Sequence, residues 1–200
     1  MGPAEEGVDV RFVIITLPPE PTRQTMDALR RPLNQAVGAR EALRYPPHVT
    51  LRTGLVCPDE KADSVAQEFL THARAARAVP VETTGVFFTA YGEPGFERGL
   101  VGWSVDPSAP LLGLHQQLSA YQPWAKGPQG AFRPHVTLAF HDIGTIQVEA
   151  LRQRIAAAPL PAFAWTIDHV ALYYETPDGW VEWGKVEFDK VRGNMPNSWG

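Results

Sequence analysis

The chain has 200 residues, of which 44% are hydrophobic and 20% charged, and its net charge is −4. That composition fits a globular protein able to bury a sizeable core, and it excludes a surface built throughout to grip long nucleic acid. A single cysteine, Cys57, excludes an internal disulfide and suits a reducing cytosol.

Residues 1–9 carry Glu5, Glu6 and Asp9 without a basic start or an apolar core. They read as a flexible N-terminus and not as a signal peptide. No apolar run approaches the roughly 18 residues needed to cross a bilayer, so a cytoplasmic protein with no membrane partner is expected. Residues 10–17 are a β-branched, apolar run that reads as a buried strand, and Pro18, Pro19 and Pro21 end it. Met26, Leu29, Leu33 and Val37 recur at helical spacing over 22–37, with Gly38 as the stop and Pro32 expected to kink or split the helix. A strand is expected at 47–55, then a helix from Pro58 to about residue 78.

Residues 81–89 and 99–106 read as a hairpin around a Gly- and Glu-rich connection. A third helix is expected at 111–121, a loop at 122–133, a strand at 134–141 and a fourth helix at 145–157. Residues 163–175 and 180–188 read as a second hairpin about Thr176-Pro177-Asp178-Gly179. Residues 189–200 read as a frayed tail.

The stretch that organises the chain is Pro47-His48-Val49-Thr50-Leu51, which returns unchanged 87 positions later as Pro134-His135-Val136-Thr137-Leu138. Alternation along a strand puts His48 and Thr50 on one face, and His135 and Thr137 likewise. If the copies pack about a pseudo-two-fold axis, two imidazoles and two hydroxyls meet in one cleft. An imidazole exchanges protons near neutral pH, and a Thr hydroxyl donates to a phosphoryl oxygen without carrying charge. The set suits acid–base cleavage of a phosphodiester. Two other readings stand beside it. The histidines are core residues on strands, or they belong to a zinc site; zinc needs three or four His, Cys or carboxylate ligands, and the motif supplies Thr instead.

Val86-Phe87-Phe88 and Val170-Ala171-Leu172 stand 84 positions apart, close to the motif spacing. The expected fold is therefore α+β: two pseudo-symmetric lobes whose antiparallel sheets line a groove, with helices on the outer faces, in one domain over 10–188. Strand parity places Arg52 on the face of His48 and Arg133 on the face of His135, where either guanidinium can fork a phosphate. The bland reading of both is an exposed strand-end charge. High Arg usage, 14 of the 18 basic residues, reads as base composition more than as phosphate binding. Phe12, Phe87, Trp103 and Tyr173 are candidates to stack a base, Tyr173 foremost because its hydroxyl tolerates a wet groove. His72, His115, His141 and His169 read as ordinary; strand parity puts His141 on the face of His135, where a solvated strand end is the first reading and a rim role the second.

The paired His-x-Thr-Leu motifs resemble those of the 2H (two-histidine) phosphoesterase superfamily, in particular its bacterial and archaeal 2′-5′ RNA ligase/cyclic phosphodiesterase branch. Arg11-Phe12-Val13 with Leu17-Pro18 resembles that branch's opening, and the order of elements agrees over residues 10–188. The resemblance implies the same bilobal architecture and an RNA 2′,3′-cyclic 3′-phosphodiesterase. It implies no cofactor, no metal and hydrolysis to a 2′-phosphate, with ATP-independent 2′-5′ ligation of RNA ends as a further activity. The partners implied are RNA 3′ ends or small cyclic nucleotides, taken by a monomer. His135 is placed as base on water and His48 as acid to the leaving oxygen, although the motif symmetry leaves these roles open. Thr50 and Thr137 would hold the non-bridging oxygens. In that branch the second motif often continues Leu-Ala-Arg; here it continues Leu138-Ala139-Phe140. A nucleotide-binding module without turnover, and a phosphodiesterase for another small cyclic phosphate such as an ADP-ribose derivative, are the alternative functions.

Overall fold

The computed structural model describes residues 9–93, 97–121, 125–126, 131–176 and 179–189. The chain runs β1 (Asp9–Thr16), α1 (Glu20–Val37), a 3₁₀ turn (Glu41–Arg44), β2 (Val49–Pro58), α2 (Asp59–Ala73), β3 (Val79–Tyr91) and β4 (Arg98–Val105). It continues with α3 (Ala109–Ser119), β5 (Ala125–Lys126), β6 (His135–Phe140), α4 (Thr145–Ala157), β7 (Ala164–Ile167), β8 (His169–Thr176) and β9 (Gly179–Glu187). All pairings are antiparallel, in the order β7-β3-β4-β6-β2-β1-β8-β9, with β5 added alongside β2. The expected α+β architecture is present. The two four-stranded halves are joined where β2 meets β6, at Val49 opposite Val136.

Each motif strand lies with the other copy's hairpin. β6 borders the β3–β4 hairpin, while β2 borders β1, which carries the β8–β9 hairpin. One face of the sheet is covered by the helices over a core that includes Phe12, Ile14, Met26, Leu51, Phe69, Trp103, Leu138 and Leu172. The opposite face of the central strands carries a smaller buried cluster of Val13, Ile15, Leu17 and Ala171, of which Val13 and Ile15 line a cleft. Burying these apolar side chains is the main stabilising term, at about 25 cal/mol per Å² removed from water. No helix among the described residues is long and apolar enough to cross a membrane.

Several expectations need correction. Pro32 does not split α1, which is one helix from Glu20 to Val37 and closes at Gly38 in a left-handed conformation (φ 73°). α2 stops at Ala73, because Val79 and Val81 are needed to pair with Ile167 and Trp165. The strand expected at 163–175 is two strands. The main core takes Trp165 and Ile167 from β7 but Val170 and Leu172 from β8, while Ala171 packs in the smaller cluster, so the alternation slips at Asp168. β7 then crosses to pair with β3. The loop expected at 122–133 holds the short strand β5, which pairs Lys126 with Leu55. Asp9 belongs to β1, and the N–H of Asp189 donates to the Arg74 carbonyl at 2.8 Å. The rest of the expected flexible ends, residues 1–8 and 190–200, and the turn residues Pro177 and Asp178 lie outside the described residues.

Candidate active site

Val49 opposite Val136 sets the register of the two motifs. The two copies run antiparallel through this pair, so the pseudo-two-fold axis passes between the two valines. His48, Thr50, His135 and Thr137 all line one cleft of about 620 Å³. Pro47 and Pro134 stand before the histidines, and a proline biases the residue ahead of it to extended backbone. Each ring then folds back on the carbonyl two residues upstream: His48 Nδ1 lies 2.8 Å from the Pro46 oxygen, and His135 Nδ1 lies 2.8 Å from the Arg133 oxygen. A carbonyl only accepts, so Nδ1 carries the proton in both rings, and Nε2 is the nitrogen left for chemistry.

The duplication extends beyond the pentapeptide into the backbone irregularities. Thr50 pairs with Ile15 and Arg52 with Ile14, which leaves Leu51 as the extra residue of a bulge. Thr137 pairs with Gly102 and Ala139 with Val101, which leaves Leu138 in the same place, 87 positions on. At each bulge the carbonyl takes a donor from a helix. His115 Nδ1 on α3 is 2.7 Å from the Leu51 oxygen, and Asn34 Nδ2 on α1 is 2.7 Å from the Leu138 oxygen. Past each bulge the backbone turns left-handed, at Gly54 (φ 71°) and His141 (φ 66°). These positions are again 87 apart.

The bulges correct the placement of Arg52. Both Leu51 and Arg52 turn to the helix-covered side, where Arg52 is only 6% exposed, and Thr53 lines the cleft instead. By the same slip Leu138 and Ala139 are buried and Phe140 lines the cleft. Arg133 is exposed and contributes its carbonyl to His135, but its side chain is not part of the cleft lining. Neither arginine stands with the imidazoles. Tyr173 does line the cleft, and its hydroxyl donates to Glu182 at 3.0 Å. Burial, with that carboxylate, pushes its pKa up to about 12. Phe12 and Trp103 are each 1% exposed and belong to the core. Phe87 sets its ring edge-on to His135, with ring centres 5.4 Å apart.

Sequence reasoning missed Arg30. It is 2% exposed, borders the cleft, and gives Nε to Asp27 at 2.6 Å, Nη1 to the Ala42 carbonyl at 2.9 Å and Nη2 to the Tyr45 carbonyl. It thus ties α1 to the 3₁₀ turn that leads into His48. A signal existed: Met26, Arg30 and Asn34 repeat at intervals of four on the buried stripe of α1, and a cation on such a stripe needs a reason. The His48 pKa is lowered to about 4, first by burial and then by the charges of Arg30 and His135, against the Pro46 carbonyl, which raises it. His141 also lines the cleft, with Arg98 Nη1 3.4 Å from its Nδ1. The remaining histidines lie elsewhere. His169 joins Asp168 at 2.8 Å and accepts from the Leu17 N–H at 3.4 Å, and His72 stacks on Tyr121.

Similar folds occur among solved structures. A crystal structure of a phosphoesterase matches at 13% identity with a TM-score of 0.56, covering 92% of this chain and 100% of that one. LigT of E. coli, complexed with 3′-AMP, matches at 13% identity and TM-score 0.55 with the same coverage. TT0787 of Thermus thermophilus matches at 17% identity and TM-score 0.52, covering 89% and 97% of the two chains. No curated protein matches the sequence. The model of the 2′-5′ RNA ligase superfamily matches residues 18–179. With its doubled His-x-Thr motif and two-lobed sheet, the chain belongs to the 2′-5′ RNA ligase superfamily of two-histidine phosphoesterases.

Proposed function

We propose that the protein is a metal-independent phosphodiesterase that opens terminal 2′,3′-cyclic phosphates of RNA or nucleotides, leaving a 2′-phosphate. The observation that carries this reading is the pair of imidazoles brought together where β2 meets β6, each with Nδ1 tied to a carbonyl and both lining one cleft with Thr50 and Thr137. The crystallisation of LigT with 3′-AMP supports a nucleotide as the occupant of such a cleft. Water gives its proton to one Nε2 while its oxygen attacks phosphorus. The bond from phosphorus to the ribose 3′ oxygen breaks, and that oxygen takes a proton from the other Nε2. Thr50 and Thr137 donate to the non-bridging oxygens as their charge grows.

The resting electrostatics favour His48 as the base, opposite to the assignment expected from the resemblance. Burial and the Arg30 charge hold its ring neutral at neutral pH. His135 then serves as the acid. The 2′-5′ ligation of RNA ends follows the same proton transfers with a ribose 5′ hydroxyl in place of water as the attacking group. Metal independence is supported by the donor set, since the motifs bring Thr50 and Thr137 into the cleft with the imidazoles where further imidazoles or carboxylates would be required.

A second reading, a cyclic phosphate on another small molecule, is favoured by Phe140, which puts an apolar ring in the cleft. Phosphorus NMR with the four nucleoside 2′,3′-cyclic phosphates tests the leading reading. Conversion to the 2′-phosphate is expected, unchanged after exhaustive dialysis against EDTA. No turnover of any of the four would defeat the nucleotide reading, and loss on chelation with recovery on one metal would defeat metal independence.

A further inference from the structure

The backbone is left-handed at residue 54 and again at residue 141, in pseudo-equivalent places, but the first is glycine and the second histidine. His141 is the one non-glycine residue with positive φ among the described residues. A side chain at such a position is strained, and strain of this kind persists where the side chain has work to do. This side chain lines the outer part of the cleft with Tyr91 and Phe140.

Its ring differs from the two motif histidines in its tautomer. Arg98 donates from Nη1 to His141 Nδ1 at 3.4 Å, so Nδ1 accepts and Nε2 carries the proton. Tyr91 stands directly across from Arg98 in the β3–β4 ladder. His141 and Tyr91 thus line the cleft with ring centres 6.1 Å apart, and the Arg98 guanidinium reaches His141 from beside it.

The charge of Arg98 is not spent on neighbouring carboxylates. Glu97 accepts from the Thr145 hydroxyl at 2.8 Å, and Asp142 accepts from the Arg40 and Glu41 amides at 2.5 and 2.9 Å. Among the described residues no carboxylate forms an ion pair with Arg98. Arg30, the cation deeper in the cleft, gives its donors to Asp27 and two carbonyls. Arg98 has five N–H groups and gives one to His141.

We propose that Arg98, His141 and Tyr91 form a subsite for a second phosphate of the substrate, apart from the phosphate that reacts between His48 and His135. The inference rests on the phosphodiester reading of the cleft and extends it: the preferred substrate carries two phosphate groups. A guanidinium with free donors beside a neutral N–H donor is a set that matches phosphate oxygens.

The test is calorimetric and needs no turnover, so it separates failure of this inference from failure of the proposed reaction. A nucleoside 2′-monophosphate and its 2′,5′-bisphosphate are titrated into the wild type, His141→Gly and Arg98→Ala. Glycine at 141 keeps the backbone geometry seen at Gly54 and removes only the imidazole. The wild type is expected to prefer the bisphosphate by about tenfold or more, the worth of one or two charged hydrogen bonds. Both variants should lose that preference while holding the monophosphate unchanged. Equal affinity for the two ligands in the wild type overturns the subsite, as does equal weakening of both in the variants. A dinucleotide with an internal diester and a nucleoside 5′-diphosphate, run in parallel, identify which carrier of the second phosphate binds best.

Discussion

The two halves of the cleft share a backbone and differ in what surrounds it. Both have the proline, the ring tied to a carbonyl, the bulge, its helix-borne cap and the left-handed residue. Beside Thr137 stands Gly102, with Phe87 across from it, and beside Thr50 stands Ile15, with Ala171 across from it. Small and large have exchanged places. A Cβ on Gly102 would come within 2.8 Å of the Val136 carbonyl and 2.9 Å of the Phe87 ring, so this glycine lets Phe87 reach His135. His48 instead feels the charge of Arg30, which is held by the carbonyls of Ala42 and Tyr45. Duplication thus supplies two equivalent imidazoles, and the unequal surroundings make one of them hard to protonate. An acid–base pair needs that inequality, because one ring must be neutral while the other is charged.

The largest expected effect tests whether both halves are needed. Replacing His48 or His135 with Ala should lower turnover of a 2′,3′-cyclic nucleotide by about 10²–10⁴-fold, the usual worth of one acid or base. Near-normal turnover in either variant would remove that histidine from the mechanism.

Arg30→Met should erase part of the difference between the halves. It removes a charge that lowers the His48 pKa, so the acid limb of kcat/KM should move to higher pH. In the wild type that limb should lie near 4, far below the ordinary imidazole range. Arg30→Lys keeps the charge and should leave the limb in place. A wild-type limb near 6.5 would return the base role to His135. Arg30→Met should also destabilise the fold by about 3–5 kcal/mol, because two carbonyls lose their donor and Asp27 loses the nearer of its two cations.

The caps offer a smaller perturbation. Asn34→Ala and His115→Ala each leave a bulge carbonyl without its donor, which should cost about 1–3 kcal/mol in chemical denaturation. Near-equal losses are expected from the pseudo-symmetry, and a cap whose removal costs nothing would show its bulge to be held by the ladder alone.

The smallest effect is on stability against pH. The folded pKa of His48 lies below its unfolded value, so between about 6.5 and 4 the unfolded chain binds more protons. Stability from this group is therefore present above 6.5 and falls as pH drops towards 4. His48→Asn should flatten that part of the curve, and an unchanged slope would mean that the ring is not held neutral by the fold.

The doubled pentapeptide announced the cleft because a repeat survives any uncertainty about its surroundings. α4 was equally legible: its apolar positions Val148, Leu151 and Ile155 keep helical spacing, and it runs from Thr145 to Ala157 as expected. Arg52 was misplaced because period-two counting has no access to a bulge, which depends on cross-strand register. The division at Asp168 was hidden for a related reason, since β7 and β8 read as one apolar strand until their partners are known. Arg30 and His141 were passed over because their roles come from tertiary contacts: carbonyls of a turn 12 to 15 residues away for one, and an arginine 43 residues away for the other.

The strand order also bears on how the chain assembles. One half-sheet, β3, β4, β6 and β7, is drawn from a continuous stretch of chain, residues 79–167. The other joins β1 and β2 at the start to β8 and β9 at the end, with Phe12 pairing to Tyr174. Closing that second half confines a loop of well over a hundred residues, and such closure slows folding. During synthesis the half that completes the surroundings of His48 waits for the last strands to leave the ribosome. The half that holds His135 has all its strands earlier. The interleaving that brings the two histidines together therefore makes the cleft between them one of the last parts of the molecule to form.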